Sequence, residues 1–451
     1  MRSLLRRIYN GNSEHRQLVG SSIVSLALKL FGGLAGVLMT VIVGRTQGAS
    51  GAGVFFVGLS ITSILAAVSR FGLDQAVTKV VSSSAANQDW QKINTVYRTS
   101  LAYLIATSGL LSVSLALASV TIAPAFVGDD LAATYAWMSL SIVAFSLTWI
   151  HSHFFQGLDE IKCYQVFQNL GLTTIFVFII LLLSLLQIGT STVQLAMAYT
   201  GSTFLTALAA HVTWRFRHPW YNGRVPLASV KGKFATLAPF WGMSVLWQLN
   251  MWFPQILLGF TASPLDVGLY NAAFRFANLT TLFLLGVNSV VFPRFAAAYS
   301  RGDFDRLKRL AFSSTRFMTI LGTPIVIFLI LLAPQILSLS GEEFSAGAPM
   351  LRIICVGQFF NVATGSVGGL LNMTNNQGVA FRCSLLAFIA MVILAVLSVP
   401  FGANGVAVAQ AISLIVLMAG FSIASYSKLG FAPIMGLFQK STNEAENSFV
   451  R

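Results

Sequence analysis

Apolar runs long enough to cross a bilayer recur from one end of the chain to the other, and they constrain its fold more than any other feature. A helix needs about 20 consecutive apolar residues to span the hydrocarbon core. Because lipid cannot satisfy exposed backbone groups, each run is expected to be helical. The twelve predicted spans are 18–44, 50–72, 99–123, 134–156, 163–187, 190–214, 235–260, 267–292, 311–334, 345–371, 379–400 and 404–428.

The composition also indicates a multi-pass membrane protein. Of the 451 residues, 55% are hydrophobic and 9% are charged, whereas a soluble domain has about 25% charged residues. The three cysteines show no CxxC spacing, which indicates neither a disulfide framework nor a metal site. We therefore expect an all-α integral membrane protein that needs no cofactor.

The 28 Lys and Arg residues give a net charge of +14, which is compatible with nucleic-acid binding. Their distribution indicates membrane topology instead. Most of them lie at the N-terminus and in alternate connections, such as the one between the eighth and ninth spans, whereas the opposite loops carry Arg45 as their one cation. The positive-inside rule then places both termini in the cytoplasm. We expect no nucleic-acid partner.

The two halves of the sequence resemble each other. The stretch 51–65 (GAGVFFVGLSITSIL) parallels 266–280 (DVGLYNAAFRFANLT), and 87–93 (NQDWQKI) parallels 301–307 (RGDFDRL). Repeats of this kind are common in alternating-access transporters. The DWQKI and DFDRLKRL stretches are expected to form short amphipathic helices on the inner surface. The predicted parts are a cytoplasmic N-terminus 1–17, six-helix bundles 18–214 and 235–428, a cytoplasmic linker 215–234 and a cytoplasmic tail 429–451.

Once the cations near the two membrane surfaces are counted, three remain deep within predicted spans: Lys29 in the first, Arg275 in the eighth and Arg352 in the tenth. A cation at a span centre costs about 2.5–3.5 kcal/mol on insertion scales. Small or polar residues recur around each cation at helical spacing, so we expect the three cations to face a wet cavity; packing of small residues between helices is the alternative. The stripes are Ser22, Ser25, Lys29, Gly32, Gly36 and Thr40; Asn271, Arg275, Asn278, Thr281 and Asn288; and Ser345, Ala348, Arg352, Cys355, Phe359 and Ser366.

The sign of these charges indicates the class of ligand. No Asp or Glu stands deep in any predicted span, so an anionic ligand would neutralise the cations. The donor fork of Arg suits phosphate. Arg45 ends the first span and extends the predicted set, and Arg70 lies either at the cytoplasmic mouth of the cavity or at the membrane interface as an ordinary anchor.

The seventh predicted span adds amide side chains among tryptophans. Gln248 and Asn250 lie near Trp241, Trp247 and Trp252 in the sequence. Amide donors and aromatic faces suit a sugar, but they equally suit an interfacial belt and polar contacts between helices. The sequence leaves both interpretations open.

Three stretches carry a resemblance to a known family: VGRTQGASGAGVFFVGLSITSILAAVSRFGLDQAV at 43–77, LGFTASPLDVGLYNAAFRFANLTTLFLLGVNSVVFPRFAAAYSRGD at 258–303 and LSGEEFSAGAPMLRII at 339–354. With the twelve-span plan, they resemble bacterial polysaccharide flippases of the O-antigen or repeat-unit type, in the multidrug/oligosaccharidyl-lipid/polysaccharide exporter superfamily. The resemblance implies two pseudo-symmetric six-helix bundles around a central cationic cavity. It also implies that Arg275 falls where lipid II flippases carry a functional arginine. Those relatives have two further spans and a charged pair in the first span, where this chain has Lys29 alone, which favours a repeat-unit flippase.

The resemblance further implies an undecaprenyl-pyrophosphate-linked sugar as the cargo. The expected function is therefore translocation of an undecaprenyl-pyrophosphate-linked oligosaccharide to the outer leaflet of the bacterial inner membrane, for surface polysaccharide such as the O-antigen of lipopolysaccharide. The expected partners are this lipid-linked glycan, membrane lipids and a glycan polymerase, with the chain acting as a monomer. A multidrug or small-molecule exporter and an integral-membrane glycosyltransferase or polymerase are the alternatives. Coupling to H⁺ or Na⁺ stays open beside use of the membrane potential alone. The expected substrate-binding residues are Lys29, Arg45, Arg70, Gln248, Asn250, Asn271, Arg275, Asn278 and Arg352.

Overall fold

A computed structural model describes residues 13–121, 129–186, 191–218 and 234–434. All regular structure within these ranges is helical, so the expected all-α class is confirmed. The predicted N-terminus, linker and tail lie largely outside the described residues. The α-helices are α1 Ser13–Arg70, α2 Leu73–Ala86, α3 Trp90–Thr121, α4 Asp129–Gly157, α5 Ile161–Gln165, α6 Gly171–Leu185, α7 Thr192–Arg217, α8 Phe234–Thr261, α9 Pro264–Ala277, α10 Leu279–Ser300, α11 Phe304–Leu331, α12 Ala333–Ser338, α13 Ala348–Thr364, α14 Val367–Met373, α15 Gln377–Leu397 and α16 Gly402–Leu429.

Shorter helical turns complete the chain: a π-helix at Val166–Leu170 and 3₁₀ turns at Glu342–Gly347 and Val399–Phe401. The chain forms two compact units, Met1–Gly259 and Phe260–Arg451. This boundary falls at the end of α8, whereas the sequence placed the division in the linker before it. The assignment of two six-helix bundles stays a prediction.

Helical structure occupies each of the twelve predicted spans. Within the described residues, nine helices are long and apolar enough to cross a membrane. One of these, Val24–Arg70, contains most of the first and of the second predicted span, which meet where Gly48 takes a φ of 64° that favours glycine. The helices α7 and α8, which correspond to the predicted spans 190–214 and 235–260, are not among the nine. The fold is that of a multi-pass membrane protein, and the number of twelve crossings stays a prediction.

The two stretches predicted as separate short amphipathic helices instead begin long helices. The Asp89 carboxylate accepts a hydrogen bond from the Lys92 backbone N–H at 3.0 Å where α3 begins, and Asp303 accepts one from the Arg306 N–H at 2.9 Å where α11 begins. An N-cap of this kind satisfies a backbone donor that has no acceptor within the helix. Each helix therefore runs without a break from its cap into its apolar span.

In the first unit, α4 packs against α1, α3 and α7, around a core that includes Tyr97 and Trp214. The fifth predicted span, which contains the π-helix, approaches α1 closely. A Cβ on Gly32 would lie 2.7 Å from the Asn169 carbonyl oxygen, and the Gln165 amide donates to the Ser25 hydroxyl at 2.6 Å. Part of the small-residue stripe in the first span is thus a packing surface.

In the second unit, α13 packs against α9, α11 and α16, and two predicted spans are broken. The eighth span breaks at Asn278, between α9 and α10, and the tenth breaks between α13 and α14 at Gly365, whose φ is 63°. A Cβ on Gly365 would lie 2.5 Å from the Thr315 hydroxyl oxygen, so both the backbone angle and the contact with α11 require glycine.

Candidate functional site

Arg275 lies one turn before the break between α9 and α10. Its side chain is half-buried, and its Nε donates to Oδ1 of Asn271 at 3.3 Å. Asn271 is fully buried on the preceding turn. The predicted spacing of four residues therefore brings this arginine and this amide together.

A chain of amide side chains continues from the break to α13. Oδ1 of Asn278 accepts hydrogen bonds from Gln358 Nε2 at 3.1 Å and from the Thr281 hydroxyl at 3.4 Å. Oε1 of Gln358 in turn accepts one from Asn361 Nδ2 at 3.2 Å. Sequence analysis missed Gln358 and Asn361, although two amides three residues apart in the tenth predicted span were a usable signal. These bonds attach the broken eighth span to the tenth.

Two hydrogen-bond donors in this cluster are buried without an acceptor. Nδ2 of Asn271 and Nδ2 of Asn278 have no hydrogen-bond partner in the part of the chain that the structure describes. The oxygens of both amides are already engaged, so the unused atoms are N–H donors. Leaving such a group unsatisfied costs about 1–3 kcal/mol. Together with the Arg275 guanidinium, these donors suit a ligand that offers several acceptor oxygens and negative charge.

Arg352 lies on the exposed face of α13. Its Nε donates to the Ile330 carbonyl at 3.2 Å, in the last turn of α11, where backbone carbonyls lack donor partners and attract cations. Val356 and Phe360 share its exposed face, whereas Cys355 is buried. The polar stripe predicted through Arg352 is wrong, because its neighbours on that face are apolar.

Lys29 and Arg45 both lie on α1. Lys29 is half-buried and makes no hydrogen bond or ion pair with another described residue; it shares a face with Ser25 and Gly32, which contacts the fifth predicted span. Arg45 is exposed, three residues before the bend at Gly48.

Arg70 has neither of the two positions that the sequence suggested. Its side chain is 2% exposed, and its Nε lies 3.1 Å from Oδ2 of Asp74. Its Cζ lies 4.8 Å from the centroid of the Trp149 ring. A buried guanidinium that is neutralised by a carboxylate is neither a residue of a cavity mouth nor an interface anchor.

Gln248 and Asn250 are engaged in contacts of the first unit. Gln248 is buried, and its Nε2 donates to the Ser63 carbonyl of α1 at 3.2 Å. Asn250 donates to a carbonyl of its own helix at 2.9 Å. Oε1 of Gln255 accepts a further bond from the Ser60 hydroxyl of α1 at 2.7 Å. For Gln248 this geometry favours the interpretation as a polar contact between helices.

Sequence analysis also missed a buried cluster in the first unit. The Tyr97 hydroxyl lies 2.7 Å from His151 Nε2 and 3.1 Å from His211 Nδ1, which joins α3, α4 and α7. His153 is outside this cluster, and its Nδ1 lies 3.1 Å from the Thr78 hydroxyl. Because the three partners are far apart in the sequence, no local motif revealed the cluster.

Comparison with protein families decides the identification. The profile of the family described as polysaccharide biosynthesis protein matches residues 18–299, which is more than half of the chain. This chain belongs to the polysaccharide biosynthesis protein family. The profile of a second family, MatE, matches residues 242–397 of this polysaccharide biosynthesis protein.

A curated relative is the probable low-salt glycan biosynthesis flippase Agl15 of Haloferax volcanii. The two sequences are 25% identical over 197 residues, which cover 41% of this chain and 42% of the relative. This polysaccharide biosynthesis protein thus spans about two fifths of that relative's length.

Solved structures share the fold. An inward-facing multidrug resistance MATE family transporter of the MOP superfamily has a TM-score of 0.72 at 14% identity, over 91% of this chain and 98% of that chain. The lipid II flippase MurJ, in an inward closed conformation, has a TM-score of 0.70 at 15% identity, over 89% of this chain and 87% of its own. The chain therefore shares its fold with these two membrane transporters.

Proposed function

We propose that the chain is a flippase for an undecaprenyl-pyrophosphate-linked oligosaccharide in the bacterial inner membrane. It moves this lipid from the cytoplasmic to the outer leaflet by alternating access, for surface polysaccharide biosynthesis, and both of its termini are cytoplasmic. The family match and the glycan flippase relative support the class of cargo.

The observation that carries the proposal is the donor cluster around Arg275. A half-buried guanidinium and two buried amide N–H₂ groups without acceptors lie within two turns of one membrane-spanning segment. The carboxylate of that segment, Asp266, is at its beginning and accepts a hydrogen bond from the Ser263 hydroxyl at 2.7 Å. A pyrophosphate supplies both the acceptor oxygens and the negative charge that the cluster lacks. Asn271 and Asn278 then act as further phosphate ligands.

The other cations are assigned less specific roles in the same proposal. Lys29 and Arg45 of the first unit and Arg352 of the second attract the anionic headgroup, because each has a guanidinium or ammonium with exposed area. Arg70 is left out, since Asp74 already neutralises it. Gln248 and Asn250 are left out because each amide already donates a hydrogen bond to a helix carbonyl of the first unit.

The test is complementation of a strain that lacks its own flippase. Arg275→Ala removes charge-assisted hydrogen bonds worth about 1.5–3 kcal/mol each, so surface glycan should fall about 10- to 100-fold. Arg275→Lys keeps the positive charge but loses the forked N–H donors of the guanidinium. It should give an amount of surface glycan between those of Arg275→Ala and the unaltered chain.

Arg294→Ala is the matched control, because Arg294 is an exposed arginine on α10 at the far end of the same membrane-spanning segment. It should leave surface glycan unchanged at equal amounts of inserted protein. Normal glycan in the Arg275→Ala strain at normal expression removes Arg275 from the mechanism.

A multidrug or small-molecule exporter is the second candidate, which the MatE match over 242–397 favours. The same complementation strains separate the two functions. Increased drug resistance with no restored surface glycan selects the exporter, and restored glycan selects the flippase.

A further inference from the structure

The first unit contains a cavity of about 140 Å³ between α4, the π-helix, α6 and α7. A single water needs about 10–15 Å³ of such space, so the cavity is several times too large for one water or one ion. It consists of residues far from the Arg275 cluster in the sequence, and the function proposed above makes no use of it.

Its polar lining is rich in acceptor atoms. The hydroxyl groups of Thr148, Thr203 and Thr206 each donate to a carbonyl of their own helix, at 2.9, 2.6 and 2.7 Å. A hydroxyl has one donor hydrogen and two acceptor lone pairs, so these three oxygens can only accept further hydrogen bonds.

The π-helix contributes complementary amide groups. Nδ2 of Asn169 donates to Gln165 Oε1 at 2.6 Å, which leaves its Oδ1 as an acceptor that makes no bond to a described residue. Oε1 of Gln168 lies 3.0 Å from the Ser152 hydroxyl, which also bonds to the Thr148 and Trp149 carbonyls. Nε2 of Gln168, a residue of the cavity lining, is a donor that makes no hydrogen bond to a described residue. The wider turn of a π-helix is often found at functional sites.

Aromatic rings form the remaining wall. Phe145 and Trp149 lie on α4 with their ring centroids 5.5 Å apart, and Phe167 belongs to the π-helix. None of the residues that line the cavity is charged. Arg70 lies behind Trp149, but its charge is compensated by Asp74.

The residues that line the cavity suit some classes of ligand poorly and one class well. An acyl chain would leave Asn169 Oδ1 and Gln168 Nε2 without hydrogen-bond partners, which is costly. A phosphate finds no cation in the lining, and a metal ion finds no carboxylate. A pyranose has a face of C–H groups for the aromatic rings and a rim of hydroxyl groups that donate to the acceptors and accept from Gln168.

We propose that this cavity binds an uncharged pyranose sugar. That this sugar belongs to the transported glycan rests on the proposed function. The cavity then recognises part of the saccharide, whereas the Arg275 cluster binds the phosphates.

Saturation-transfer NMR on the purified full chain in lipid nanodiscs tests this binding directly. The probes are glucose, galactose and N-acetylglucosamine, with triethylene glycol as a hydroxylated probe that has no ring. We expect saturable binding of at least one sugar, with a Kd of about 1–10 mM, and no saturable binding of triethylene glycol. Absence of sugar binding, or equal binding of triethylene glycol, overturns the proposal.

Matched variants locate the site. Thr203→Val together with Thr206→Val removes two acceptor oxygens at nearly constant volume, and should weaken sugar binding about tenfold. Thr319→Val is the control, because the Thr319 hydroxyl also bonds its own helix, at 2.9 Å, but lies on α11 in the second unit. Unchanged binding in the double variant overturns the proposal.

Two further measurements complete the test. If the double variant does not fold, Trp149→Ala should abolish sugar binding and Trp149→Phe should keep part of it; equal binding by both overturns the proposal.

Because the probes are free sugars, the result is independent of lipid translocation. If the unaltered chain exports glycan normally but binds no sugar, only the sugar site is refuted. If the chain binds sugar and Arg275→Ala still exports glycan normally, only the role of Arg275 is refuted.

Discussion

Arg70 and Arg275 are both arginines within predicted apolar spans, but their surroundings in the structure differ. Arg70 is fully buried against Asp74 and Trp149. Arg275 is half-buried beside amides, of which Asn271 keeps an unused donor. Sequence spacing identified Asn271 as a neighbour of Arg275, because that contact is one helical turn long. The Arg70–Asp74 pair has the same spacing, but its burial was not predicted, because it depends on packing against α4, which contains Trp149.

The Arg70–Asp74 pair gives a prediction about stability. Asp74→Ala leaves a buried guanidinium without a counter-charge, which should destabilise the protein by about 3–5 kcal/mol. Asp89→Ala removes an exposed helix cap and should cost about 1 kcal/mol. Thermal unfolding of both variants in nanodiscs measures the difference.

The double variant Arg70→Met with Asp74→Leu checks the cause. Replacing a buried ion pair by apolar residues of similar volume is often neutral or stabilising, so most of the loss should be recovered. If the double variant is as unstable as Asp74→Ala, the loss does not come from an uncompensated charge.

At the scale of elements, hydropathy predicted where helices lie but not where they break. Every predicted span contains helix, because an apolar run in lipid has no other way to satisfy its backbone. The break at Asn278 and the π-helix at Val166–Leu170 were not predicted, since each is a change of one turn that depends on tertiary contacts. At this break Asn278 links α9 to α13, because its Oδ1 accepts a hydrogen bond from Gln358.

The break between α13 and α14 predicts a strict requirement for glycine. Gly365→Ala places a Cβ 2.5 Å from the Thr315 oxygen at a φ of 63°, and should cost more than about 2 kcal/mol. Gly109→Ala is the control, because a Cβ on Gly109, within α3, would have no neighbouring atom of the described residues within 4 Å; it should be neutral or stabilising by up to about 1 kcal/mol. Equal melting temperatures for the two variants would contradict the assignment of strain to Gly365.

At the scale of the whole molecule, the sequence repeat corresponds to local structure in both halves. Asp89 and Asp303, which the repeat aligns, each cap a long helix. Gly48 lies three residues before the aligned stretch 51–65, and Ser263 lies three residues before 266–280. Each lies between two consecutive predicted spans. Helix caps and bends depend on a few adjacent residues, so a sequence repeat predicts that both halves have them at matching positions. The position of each cation relative to water, lipid and other helices was not predictable from such motifs.

The energy source of transport is a prediction for the whole molecule. Ion coupling usually needs a carboxylate, and Asp74 and Asp266, which lie near the ends of predicted spans, are engaged with Arg70 and Ser263. We therefore expect the membrane potential to suffice, at about 2.3 kcal/mol per charge for each 100 mV. In proteoliposomes, outward movement should accelerate with an inside-negative potential and stay constant when H⁺ and Na⁺ gradients are collapsed at fixed potential. Loss of transport on collapse of either gradient would establish antiport.

The most direct measurement is the translocation of undecaprenyl-pyrophosphate-linked oligosaccharide by the purified chain in proteoliposomes, followed by access of an external glycan-modifying enzyme. The account predicts translocation by the unaltered chain and by Arg294→Ala, with a rate about 10- to 100-fold lower for Arg275→Ala. Equal rates for Arg275→Ala and the unaltered chain would contradict the claim that the donor cluster binds the anionic headgroup.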